Sequence, residues 1–103
     1  MATVAERALL SGRALRYLLT LQLFDRGPLT VRQLARAVEQ EGFGIEGRPS
    51  KTISDALRWE VAHGRVVRLG RGRYGPGRMP RQTLAWIRNR TATLRDTSDP
   101  WAR

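Results

Sequence analysis

Lys51, Ser54, Asp55 and Arg58 recur at three- and four-residue spacing, and their types are those that can do chemistry on an anionic or hydrogen-bonding partner. At about 100° per helical residue they share one face with Ala62, while Ile53, Ala56, Leu57 and Val61 fall on the other. The polar face offers ammonium, guanidinium and hydroxyl donors, suited to phosphate oxygens and to the acceptor edge of guanine. Its carboxylate, Asp55, either accepts from a cytosine amino group or orients Arg58. The competing account is an ordinary solvated helix face. Arg48, Ser50 and Thr52 lie at the start of the same segment and add donors there. Beyond it, Arg68, Arg71 and Arg73 surround the turn Gly70-Arg71-Gly72, which puts Arg71 at the apex of a hairpin, within reach of a minor groove or a phosphate.

Other chemistries find little support in the residues. The chain has no cysteine, so neither a disulfide nor a thiolate metal site is available. Its one histidine, His63, has no second His or Cys with which to build a metal site. Asp55 and Glu60 fall on roughly opposite sides of one helix and cannot flank a substrate as an acid and base pair. No serine has a neighbouring base, and Gly70-Arg71-Gly72 lacks the third glycine and following helix of a nucleotide-binding loop. The expectation is a non-enzyme without cofactor or metal.

Charge is distributed unevenly. Residues 1 to 46 carry a balance of +1 and residues 47 to 103 a balance of +9, within a total of +10. Eighteen of the nineteen basic residues are arginine, and the excess lies in the half that bears the polar helix face and the hairpin. Phosphate neutralisation requires such a field, although a solvated basic surface or a genome-wide arginine bias would give the same total. At 103 residues the chain is long enough for a single core. No apolar run approaches the roughly 18 residues of a membrane span, and the start lacks the pattern of a secretory signal. A cytoplasmic, nucleoid-associated protein is expected.

The elements that must position these residues follow from local signals. Thr3-Val4-Ala5-Glu6 has the form of a capping box and predicts a first helix running to Gly27-Pro28, with Leu9, Leu10, Ala14, Leu15, Leu18 and Leu19 at helical spacing and Gly12 as a weak point. Thr30-Val31-Arg32-Gln33 is a second capping box, opening a helix with Val31, Leu34, Ala35 and Val38 inward and Gly42 as its stop. Leu29 before it fits a short strand. Phe43 and Ile45 should pin the linker that leads to Pro49. Ser50 is the expected N-cap of the third helix and Gly64 its stop. Arg65 to Leu69 and Arg73-Tyr74 predict a hairpin with left-handed Gly70 and Gly72.

Glu60 falls within the apolar stripe of the third helix. A buried carboxylate without a counter-charge costs several kcal/mol, so Arg13 or Arg16 of the first helix should lie beside it. Trp59, on the flank of the stripe, reads as core or interface.

Residues 13 to 77 resemble the winged helix-turn-helix superfamily of bacterial DNA-binding regulators. LTVRQLARAV matches the positioning helix, SKTISDALRWEVAHG the recognition helix and RVVRLGRGRYG the wing. The resemblance implies a mainly α fold with a small β-hairpin wing, a third helix in the major groove and a wing on the adjacent groove or backbone. Double-stranded DNA is the implied partner, and transcriptional regulation the implied role. A low-specificity architectural DNA binder, or an RNA- or protein-binding module, remains an alternative.

Past this core, Pro80 can begin a last helix over about residues 80 to 95, where Leu84, Ile87, Thr91 and Leu94 recur at helical spacing. It should pack on the first helix of its own chain or of a second copy, and Leu84 and Ile87 are then candidates for a homodimer interface. A single domain over 1–95 and a flexible tail over 96–103 are expected.

Overall fold

Thr30 opens the best-specified helix of the chain. Its Oγ1 accepts from the Gln33 N–H at 3.1 Å while Gln33 Oε1 accepts from the Thr30 N–H at 2.8 Å, so the expected capping box closes in both directions. This helix belongs to a computed structural model that describes residues 8–10 and 12–98. The elements run β1 (Ala8–Leu10), α1 (Gly12–Arg26), β2 (Leu29–Thr30), α2 (Val31–Gln40), β3 (Phe43–Ile45), α3 (Pro49–Ala62), β4 (Val66–Gly70), β5 (Arg73–Pro76) and α4 (Arg81–Ser98). The fold is mostly helical with a small antiparallel sheet, as expected from the periodicity.

The first segment differs from its prediction. Thr3 lies outside the described residues, and Leu9 and Leu10 are strand rather than helix. Gly12 takes φ +57°, so the expected weak point within a helix is the left-handed corner between β1 and α1. β1 pairs in parallel with β3, with Leu9 opposite Gly44, and the Glu46 N–H donates to the Leu10 carbonyl at 3.0 Å. The long linker before α3 is thereby built into a two-stranded ribbon. Phe43 is fully buried, as its pinning role requires.

β2 adds to the hairpin to give a sheet in the order β2-β5-β4, with Leu29 opposite Tyr74 and Arg68 opposite Tyr74 on its other side. The hairpin is irregular between Arg68 and Gly70, and of the two glycines at its tip only Gly72 is left-handed, at φ +67°. Gly70 needs no positive φ because the bulge absorbs the turn. Leu15, Leu18, Leu19 and Leu23 of α1, Leu34 and Val38 of α2, Phe43, and Ile53 and Leu57 of α3 form the core. Ser50 is not the N-cap of α3: Arg48 holds that position with extended backbone, and Pro49 takes the first turn, where its missing N–H costs nothing.

α4 crosses α1 of its own chain. Ile87 is fully buried there and Thr91 nearly so, and Arg88 makes a two-bond ion pair with Asp25 at 2.9 and 3.2 Å. Ile87 is therefore not free to form the expected homodimer contact, and Leu84 is half-buried. The helix runs to Ser98, so residues 96–98, expected to be tail, continue its last turn.

Candidate nucleic-acid interface

The N–H of Val31 donates to the carbonyl of Gly72 at 2.9 Å, tying the hairpin tip to the first turn of α2. Because α2 also packs on α3, the tie fixes the hairpin relative to α3. Between them lies a groove of about 580 Å³. Ser50, Ser54 and Arg58 border it from α3, and Arg68 and Arg71 from the hairpin. Its floor is apolar: Val31, Val61 and the nearly buried Tyr74. Five of the ten residues expected to meet DNA are thus on one concave surface.

The other five stand differently. Lys51 and Asp55 lie on the exposed side of α3, joined at 2.9 Å, and Asp55 also faces Arg58 at 3.6 Å. The hydrogen bond from Lys51, helped by the charges of Lys51 and Arg58, holds the Asp55 carboxyl below its ordinary value, so it is ionised at neutral pH. Of the two roles open to Asp55, orienting Arg58 is the one with a contact in the free protein. Thr52 is committed to structure, its Oγ1 donating to the Glu46 carbonyl at 2.7 Å and closing the turn before α3. Arg48 is exposed at the helix cap. Arg73 neighbours Tyr74 in β5, so alternation sends it to the sheet face away from the groove. Arg48, Arg68, Arg71 and Arg73 have no carboxylate partner among the described residues, which leaves their charge available to an outside anion.

A second cluster lies on the opposite flank of α3. Glu60 is fully buried, as its place in the stripe demanded, with Arg16 Nε 3.4 Å from one carboxylate oxygen and Arg65 Nε 3.2 Å from the other. Arg16 was one of the two expected partners; the other, Arg13, is exposed. Arg65 escaped sequence reasoning because it reads as the first residue of a strand, and only the turn at Gly64, φ +75°, brings it back over the helix. Burial raises the Glu60 pKa, and the two guanidinium charges pull against that rise. Trp59 lies beside the cluster, stacked on the His63 ring at 3.6 Å between centroids, with the Arg16 guanidinium 3.9 Å from its own centroid. Among the described residues no group of three or more His, Cys, Asp or Glu could hold a metal ion, and no helix is long and apolar enough to cross a membrane.

Comparison with family models, with curated proteins and with solved structures returns no match to this chain.

Proposed function

We propose that this protein binds double-stranded DNA as a sequence-specific transcriptional regulator, in the manner of a winged helix-turn-helix, with α3 in the major groove and the β4–β5 hairpin on the adjacent groove or backbone. The observation that carries the reading is the single groove that Ser50, Ser54 and Arg58 share with Arg68 and Arg71. Two supports add to it. The chain runs α1, β2, α2, β3, α3, β4, β5, with β2 beside β5; apart from the inserted β3 this supplies the positioning helix, recognition helix and hairpin of the domain that the sequence resembles. A helix of the width of α3 fits a major groove about 12 Å wide. In this reading Arg58, steadied by Asp55, reads a base edge, while Arg68 and Arg71 neutralise phosphates.

One observation favours the low-specificity alternative. Lys51 already pairs with Asp55, whereas Arg68, Arg71 and Arg73 of the hairpin have no carboxylate partner among the described residues. Affinity resting on the hairpin would be indifferent to sequence.

Selection of bound duplexes from a randomised library, at near-physiological salt, separates the two. Enrichment of a short motif is the expected result. Retention without enrichment leaves an architectural binder, and no retention at all overturns DNA binding.

A further inference from the structure

From the flank of α3 opposite the groove, ring and guanidinium contacts lead to α1 and, through the next residue of α1, to α4, a band of side chains from three helices. The Trp59 ring of α3 is covered by Arg16 of α1; Tyr17, next in α1, meets Trp86 of α4 edge-on at 5.5 Å; and the Arg90 guanidinium lies 5.2 Å from the Trp86 ring centroid. Arg13 shares this stripe of α1 with Arg16 and Tyr17 at helical spacing. Trp59 is 37% exposed and Trp86 47%, so each keeps apolar ring surface open to a partner.

We infer that this band, Trp59, Tyr17 and Trp86 with Arg13 and Arg90, is a docking surface for an acidic segment of another protein that carries apolar anchors. Tryptophan, tyrosine and arginine are the types that dominate binding energy at protein interfaces. These are also held in place beforehand. Trp59 is clamped between His63 and Arg16, Arg16 is held by the buried Glu60, and Trp86 is braced by Tyr17, so little side-chain freedom remains to be lost on binding.

Charge selects the occupant. Arg13 and Arg90 are exposed and have no carboxylate partner among the described residues, so the rim of the band is cationic. A second copy of this chain would bring the same cations against them, with +10 facing +10 overall. An acidic segment complements them. Single-stranded nucleic acid needs open ring faces on which to stack its bases. Trp59 has none to offer, since His63 and Arg16 both lie within 4 Å of its ring centre and must occupy opposite faces, and Trp86 by itself is too few rings to stack successive bases. At about 100° per residue, Trp59 and His63 project from the flank of α3 opposite Ser50, Ser54 and Val61. The band and the groove can therefore be filled together.

The test is a selection of random peptides displayed on phage against the immobilised full chain, followed by titration of the enriched peptides into variants. The expected winners are rich in Asp and Glu around aromatic or aliphatic anchors. Their affinity falls about tenfold or more on Trp86→Ala and on the double variant Arg13→Glu/Arg90→Glu. It is unchanged on Arg58→Ala/Arg71→Ala, which alters only the groove. Arg13 and Arg90 are exposed, so the charge-reversed variant should melt as the parent does. Peptides without acidic residues, no enrichment, or equal loss on the groove variant would each overturn the assignment. So would sedimentation of the free chain as a dimer that Arg13→Glu/Arg90→Glu alters, which would give the band to a second copy.

Discussion

Arg58 and Arg71 border the same groove from opposite sides, but the proposed function gives them different work. Arg58 stands on α3 with Asp55 3.6 Å away, an arrangement that can hold a guanidinium for a base edge. Arg71 sits at a turn held to α2 by a single backbone hydrogen bond, where it can meet a phosphate of any sequence. Arg58→Ala should therefore cost about 1 to 3 kcal/mol on the preferred site and little on unrelated duplexes, whereas Arg71→Ala should weaken all duplexes alike. Titrations of cognate and scrambled duplexes decide it, and equal losses for Arg58→Ala would remove its readout role. Glu60 raises a separate question, of pH. Burial raises its pKa in the folded state against the pull of Arg65 and Arg16, so at pH between the ordinary and the raised value the native protein holds a proton that the unfolded chain has released. Stability from this group is fully present below the ordinary glutamate pKa and is lost as pH rises through the raised one. Glu60→Gln imitates the protonated acid and should gain on the parent across that window when thermal midpoints are followed against pH. A constant difference at every pH would mean that Glu60 titrates normally.

At the scale of elements, the signals that could be read in the sequence are those made within a few residues. Thr30 and Gln33 complete their capping box through bonds between neighbours, and α3 turns Ile53 and Leu57 inward because helical periodicity is local. Glu60 and Arg16 were legible for a different reason: a buried carboxylate needs a cation, and few were at hand. The β1–β3 ribbon was not legible, since Ala8-Leu9-Leu10 has strong helical propensity and becomes strand only by pairing with Phe43–Ile45, far along the chain. The groove was half legible. Its arginines were anticipated, but its floor of Val31, Val61 and Tyr74 depends on how the hairpin leans on α2. A close approach that no local pattern announces holds the base of that hairpin. Gly77 donates to the Arg65 carbonyl and Arg78 to that of Gly64, both at 2.9 Å, and a Cβ on Gly77 would fall 2.3 Å from the Gly64 oxygen. Gly77→Ala should destabilise the fold by about 1 to 3 kcal/mol in urea denaturation, because backbone has to move. Gly75→Ala is the control. Its nearest neighbour is the end of the exposed Leu69 side chain at 3.0 Å, which can swing away, so its loss should be clearly smaller.

For the molecule as a whole, the uneven charge and the groove make a joint claim about salt. A protein that neutralises phosphates releases their counterions, so its affinity falls with salt in proportion to the number of contacts. Arg48, Arg68 and Arg71, with no carboxylate partner among the described residues, are candidates for phosphate contact on the side that bears α3 and the hairpin tip. Arg73 points from the other sheet face, and its contribution depends on how far the duplex wraps the hairpin. Three to four contacts would give a slope of log K against log salt of about −3 to −4. Removing one phosphate-bound arginine should flatten that slope by about one, so Arg71→Ala should lower it while Arg58→Ala leaves it nearly unchanged. Arg13→Glu/Arg90→Glu bears on the opposite face, and its slope should move least, apart from the general loss of positive field. If that double variant instead flattened the slope as much as Arg71→Ala, DNA would lie across the aromatic band, and both the groove and the docking surface would be assigned to the wrong partners.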